Sequence, residues 1–163
     1  MNKIIVTGPE SSGKTTIIKK LAEYFSLSFN REYAREYLSQ IKRNYTQDDL
    51  LIIAKKQFIE ENNKKLLDTD LITIKIWSNY KYKNCDKWII QKIKKQQKEQ
   101  RLYLLCKPDI AWEKDVLREN ENDRDKLFKI YQTELDLLNH SYHIIENGSR
   151  LEKAISITSN WIV

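Results

Sequence analysis

The eight residues from Gly8 to Thr15, Gly-Pro-Glu-Ser-Ser-Gly-Lys-Thr, meet the pattern G-x-x-x-x-G-K-[ST] at every fixed position. They follow the apolar run Ile4-Ile5-Val6 and precede a stretch of helical periodicity, so strand, loop and helix stand in the order that a phosphate-binding loop requires. In such a loop successive backbone N–H groups converge on phosphate oxygens, with the positive end of the following helix behind them. Gly8 and Gly13 supply backbone freedom, and Glu10, Ser11, Ser12 and Thr16 complete the cradle. Lys14 is expected to reach the β- and γ-phosphates, and the Thr15 hydroxyl to ligate the Mg²⁺ between them. The chain is therefore read as binding a nucleoside triphosphate.

With 163 residues the chain suits one domain, 1–163, with a single core. Apolar runs at Lys3–Thr7, Leu27–Asn30, Leu66–Asp68 and Leu102–Cys106, and a weaker one at Tyr142–Ile145, alternate with helical patterns. Ile17, Ile18, Leu21, Ala22 and Phe25 recur at helical spacing, as do Leu127, Tyr131, Leu135 and Leu138. Thr46-x-x-Asp49 resembles a capping box and opens another helix. Strands alternating with helices predict parallel βαβ units with helices on both faces of the sheet. Ligands of such sheets bind beyond the carboxyl ends of the strands, so chemistry is sought just after each run.

After the second run, Glu32 is placed to accept a proton from a substrate hydroxyl or to hold it in line with the γ-phosphate. Alternatively, Glu32 and Arg35 form an ordinary pair one turn apart at a charged helix start. After the third run, Asp68 is the candidate to hold Mg²⁺ together with Thr15. Asp70 could bind a sugar hydroxyl or cap a helix from Leu71 to Trp77. After the fourth, a charged span of about residues 112–126 reads as a lid whose Arg118 and Arg124 fold over the transferring phosphate. The same span is also compatible with an exposed helix of mixed charge.

Taken in order, GPESSGKTT, EYAREYL, the helix from Gln47 to Gln57, LLDTDLITIKIW and PDIAWEKDVLR resemble the ribosylnicotinamide kinase domain of NadR-type proteins over nearly the whole chain. That resemblance implies an α/β three-layer P-loop fold of the nucleoside-kinase kind with a parallel sheet of about five strands. It implies transfer of the γ-phosphate of ATP to the 5′-hydroxyl of nicotinamide riboside. The acceptor, a flat cationic ring on a ribose, calls for aromatic faces and sugar-binding carboxylates. Trp77 and Trp112 are the aromatic candidates and Asp70 and Asp115 the acidic ones, with Tyr33 and Arg35 beside them. By analogy, Gly148 and Arg150 fall where such kinases contact adenine. One departure is visible: Lys114-Asp115-Val116-Leu117-Arg118 lacks the glycine that the family's lid commonly carries before Leu-Arg. The chain starts at the kinase's first strand, so the adenylyltransferase and DNA-binding parts of bifunctional family members are expected to be absent.

A net charge of +6 raises nucleic acid as a partner. The lysines between Lys81 and Lys98 flank a stripe of Trp88, Ile89 and Ile93, which makes them a solvated helix face, and a protein that holds a polyanionic nucleotide has its own reason to be basic. The expected partner is a small molecule, not nucleic acid. No apolar run approaches 18 residues, so a cytoplasmic, non-membrane protein is expected. The rival functions are a kinase for another nucleoside or small metabolite and a regulatory ATP- or GTP-binding protein. Against guanine, Asn63-Lys64-Lys65-Leu66 lacks the aspartate of N-K-x-D. The sequence leaves the oligomeric state open.

Overall fold

In a computed structural model that describes residues 1–162, five parallel strands form one sheet: β1 (Lys3–Thr7), β2 (Phe29–Asn30), β3 (Leu66–Asp68), β4 (Arg101–Cys106) and β5 (Ser141–Ile145). Their order across the sheet is β2-β3-β1-β4-β5. The chain therefore leaves β1 toward one edge, returns beside it in β3, and then crosses to the other side in β4. That reversal makes the carboxyl end of β1 the switch point of the sheet, where such folds open a crevice. The second run is shorter than expected, since only its last two residues pair with β3.

Strand alternation divides the core in two. Ile5, Leu67, Tyr103 and Leu105 face one side and pack against α2 (Tyr33–Gln40), α3 (Gln47–Glu60), α4 (Leu71–Tyr82), α5 (Lys87–Gln96) and α6 (Arg124–Leu137). Ile4, Val6, Leu66, Leu102, Leu104, Cys106 and Ile145 face the other, against α1 (Lys14–Phe25) and α7 (Arg150–Trp161). This is the three-layer arrangement that the alternating pattern predicts. The expected stripe of α5 is present, with Ile89 and Ile93 buried and the lysines outside. No helix among the described residues is long and apolar enough to cross a membrane.

A buried ionic cluster lies against the first of these layers. The guanidinium of Arg101, fully buried, bonds Glu61, Glu99 Oε2 (2.9 Å) and Asp70 Oδ2 (3.2 Å). Glu61 Oε1 also accepts from Lys3 Nζ (3.2 Å) and Gln96 Nε2 (2.6 Å), and Asp70 Oδ2 from the Tyr103 hydroxyl (2.7 Å). A planar fork of donors suits arginine to join several carboxylates at one point. Removing the cation alone strands two buried anions, so Arg101→Met is expected to lose about 3–5 kcal/mol of stability. Urea unfolding measures it; a loss below about 1 kcal/mol would mean that the cluster relaxes or neutralises itself.

Candidate active site

The phosphate loop sits where β1 meets α1. Gly8 has φ +140°, and a Cβ there would lie 2.5 Å from the carbonyl oxygen of Cys106, so only glycine lets the loop cross the end of β4. Gly13 (φ +84°) and Ser11 (φ +54°) turn the backbone onward into α1. The Ser12 hydroxyl donates to the Pro9 carbonyl at 2.6 Å, as does Lys14 Nζ at 2.9 Å. From α7, Arg150 braces the loop through the Ser12 carbonyl (2.5 Å) and also bonds the Lys107 carbonyl (3.2 Å) and Asp109.

Asp68 and Asp70 leave the tip of β3 in different directions because Thr69 between them is left-handed (φ +63°). That conformation is strained for a β-branched residue and is held by a bond from its N–H to the Val6 carbonyl, 2.9 Å. Asp68 Oδ2 accepts from Thr15 Oγ1 at 3.4 Å, while its Oδ1 is buried without a partner among the described residues. Burial, and then the nearby charge of Glu32, push the Asp68 carboxyl up to about 7. Asp70 instead caps α4, accepting from the Ile72 N–H at 3.0 Å, and belongs to the Arg101 cluster.

A cleft of about 210 Å³ opens over the loop, from Gly8 and Glu10 to Thr16. Glu32 and Arg35 line it from the start of α2, Trp77 from α4, and Arg118 from the lid. Glu32 stands at the N-cap position of α2 without spending its carboxylate on the helix. Sequence reasoning missed Thr73, Leu38, Ile110, Glu113 and Leu117, which also line the cleft. Helical spacing held a signal for two of them: Thr73 lies four residues before Trp77 and Leu38 three after Arg35, each on its partner's face.

Several expected substrate contacts lie elsewhere. Asp70 is fully buried and saturated by Arg101 and Tyr103, so it is a structural cap and not a sugar ligand. Tyr33 packs toward α3, its N–H bonded to Gln57 Oε1 (3.0 Å) and its ring beside Tyr37. Trp112 lies outside the cleft lining, with the Arg124 guanidinium 5.5 Å from its ring centre. Asp115 meets Arg35 Nη1 at 2.7 Å, an ion pair that holds the Asp115 carboxyl below the usual carboxylate range and places Asp115 behind the arginine. Gly148 is exposed on the loop between β5 and α7, outside the cleft lining.

The span read as a lid is mostly without regular secondary structure, with a turn at Val116–Leu117 and a short 3₁₀ turn at Glu121–Asp123 before α6, not one exposed helix. It rests on the phosphate loop. Arg124 donates to the carbonyls of Ser11 (3.1 Å) and Ile110 (3.0 Å), a brace that leaves it outside the cleft lining. The Glu113 N–H donates to Ser11 Oγ at 3.0 Å. Glu10 accepts from the backbone N–H groups of Glu119 (3.2 Å) and Asn120 (3.0 Å) and from the Asn120 side chain (3.3 Å). Burial pushes the Glu10 carboxyl up, partly offset by these donors.

Comparison with known proteins agrees with this fold. The trifunctional NAD biosynthesis/regulator protein NadR of Salmonella typhimurium is 26% identical over 126 residues, covering 71% of this chain and 30% of that protein. Its Escherichia coli counterpart is 27% identical over the same length. The chain thus spans under a third of the length of these curated relatives. The crystal structure of NadR protein in complex with NR superimposes with a TM-score of 0.78 at 21% identity, over 98% of this chain and 51% of that one. Deoxyadenosine kinase from M. mycoides with bound dATP gives 0.60 at 16% identity, over 97% of each chain. At these identities the solved structures show a shared P-loop kinase-like fold. A family model described as an AAA domain matches residues 3–153, and the chain, with its phosphate loop at the switch point of a parallel sheet, belongs to that family.

Proposed function

We propose that the protein transfers the γ-phosphate of ATP to the 5′-hydroxyl of nicotinamide riboside. The observation that carries this reading is one cleft, in which the phosphate loop faces a carboxylate (Glu32), an arginine (Arg35) and an indole (Trp77) under a lid that contributes Arg118. Its likeness to NadR, one structure of which is a complex with NR, favours this acceptor over other nucleosides.

Phosphoryl transfer asks a protein chiefly for alignment and charge stabilisation. The loop amides and Lys14 would hold the triphosphate, and the segment of Gly148 and Arg150, which lies outside the cleft lining, is assigned to adenine by analogy with such kinases alone. Glu32 would hold the acceptor hydroxyl in line and take its proton, while Arg35 and Arg118 balance charge on the transferring group. Trp77 offers its face to the cationic pyridinium. The donor set suits Mg²⁺: a hydroxyl and a carboxylate meet at 3.4 Å, and the second carboxylate oxygen of Asp68 is buried and without a partner among the described residues. When bound, the ion would supply neutralisation of the phosphate charge.

An ATP-consumption assay across nicotinamide riboside, other ribonucleosides and no acceptor tests the assignment. Turnover that needs no acceptor, or that prefers another nucleoside, overturns it. Lys14→Ala should lower transfer by at least about 10²-fold with the fold intact by circular dichroism. Trp77→Ala should raise KM for the riboside about tenfold and spare that for ATP, as loss of a partly desolvated cation–π contact requires; equal effects on both would make the indole structural.

Asp68 also makes a pH-dependent claim on the nucleotide-free protein. Its folded pKa of about 7 stands above the ordinary 3.8, so the unfolded chain ionises first and stability falls as pH rises between those values. Asp68→Asn removes that loss. Its Tm advantage over the wild type should grow from about pH 4 to pH 7 and then level off, while Mg²⁺-dependent ATP binding weakens. Calorimetric scans across this range check it, and a Tm difference that does not vary with pH would contradict the buried, protonated carboxyl.

A further inference from the structure

Glu10 is a carboxylate built into a loop whose backbone is shaped to hold anions. A free negative charge there would repel a triphosphate, so its presence needs a compensating partner. The structure supplies three donors, all from Glu119 and Asn120 in the lid, and all meet Glu10 Oε2 within 3.3 Å. Two of them are backbone amides, which ties the carboxylate to the path of the chain. Neighbouring Ser11 adds two more lid contacts, to the Glu113 N–H and to Arg124. Leu117 and Arg118, which line the cleft, lie between the Glu113 and Glu119 attachments.

We propose that Glu10 is a positioning residue, the latch that joins the lid to the phosphate loop so that the two close as one body over the bound nucleotide. The inference rests on the phosphotransferase reading for its kinetic consequence, but not for the latch itself. With the latch closed, Leu117 and Arg118 are held over the cleft and water is kept from the γ-phosphate. With it open, the loop still binds nucleotide, and water competes with the acceptor.

Two readouts separate the latch from the reaction. The first is trypsin cleavage after Lys114 and Arg118 in the presence of Mg²⁺ and AMP-PNP, mapped by mass spectrometry. Loss of the latch frees a local segment without global unfolding, so Glu10→Ala should speed these cuts about tenfold, and Glu10→Gln, which keeps one acceptor, by less. The second is the ratio of acceptor-independent ATP hydrolysis to transfer, which should rise about tenfold in Glu10→Ala and in Asn120→Asp, with KM for ATP moving less than about threefold in the latter. Asn120→Asp sets a second carboxylate against Glu10 and should reproduce both effects with the phosphate loop unaltered. Cleavage rates within about twofold of the wild type in both Glu10→Ala and Asn120→Asp overturn the latch. If the lid is released but the wild type phosphorylates no acceptor, the latch stands and the reaction assigned above falls.

Discussion

The close approach of the Gly8 backbone to the carbonyl of Cys106 is the constraint on which the site depends. Because no side chain stands at residue 8, the chain can leave β1, pass over the end of β4 and bring its amides to the switch point of the sheet. The strand below is buried throughout, so the loop rests on a surface that cannot yield without disturbing the core. From the far side, Arg150 holds the Ser12 carbonyl. The loop is thereby fixed between a rigid floor and an arginine brace before any ligand arrives, which is the preorganisation that charge stabilisation needs.

Two aspartates at the end of β3 show how environment divides identical side chains. Asp70 is saturated by an arginine, a tyrosine and a backbone amide, and it ties α4 to the ionic cluster. Asp68 has one long bond and one oxygen without a partner among the described residues, and burial makes its ionisation costly. A buried carboxylate left unsatisfied lowers stability, and such groups gather at functional sites, where a ligand or ion completes them. The left-handed Thr69 keeps the two apart.

The lid adds a second layer of organisation. Arg35 on α2 reaches Asp115, and Glu10 and Ser11 on the loop reach Asn120, Glu113 and Arg124. Elements on both sides of the cleft thus hold the same segment. Side chains expected to meet ligand, among them Asp115 and Arg124, act on the lid's own position.

The fold class was legible in the sequence because strand and helix periodicities leave different repeats of apolar residues, and because the phosphate-loop pattern couples residue type to local backbone geometry within eight positions. Glu32, Arg35 and Asp68 could be placed near the cleft by the strand-end rule, and Trp77 only through the family resemblance. What tertiary structure decided was the direction of each side chain. Asp70, Tyr33 and Trp112 sit in the expected segments yet face the core, α3 and Arg124, since orientation at a strand tip follows from one backbone angle and from partners far along the chain. The contact between Glu10 and Asn120 joins positions 110 residues apart, a separation at which no local pattern carries information.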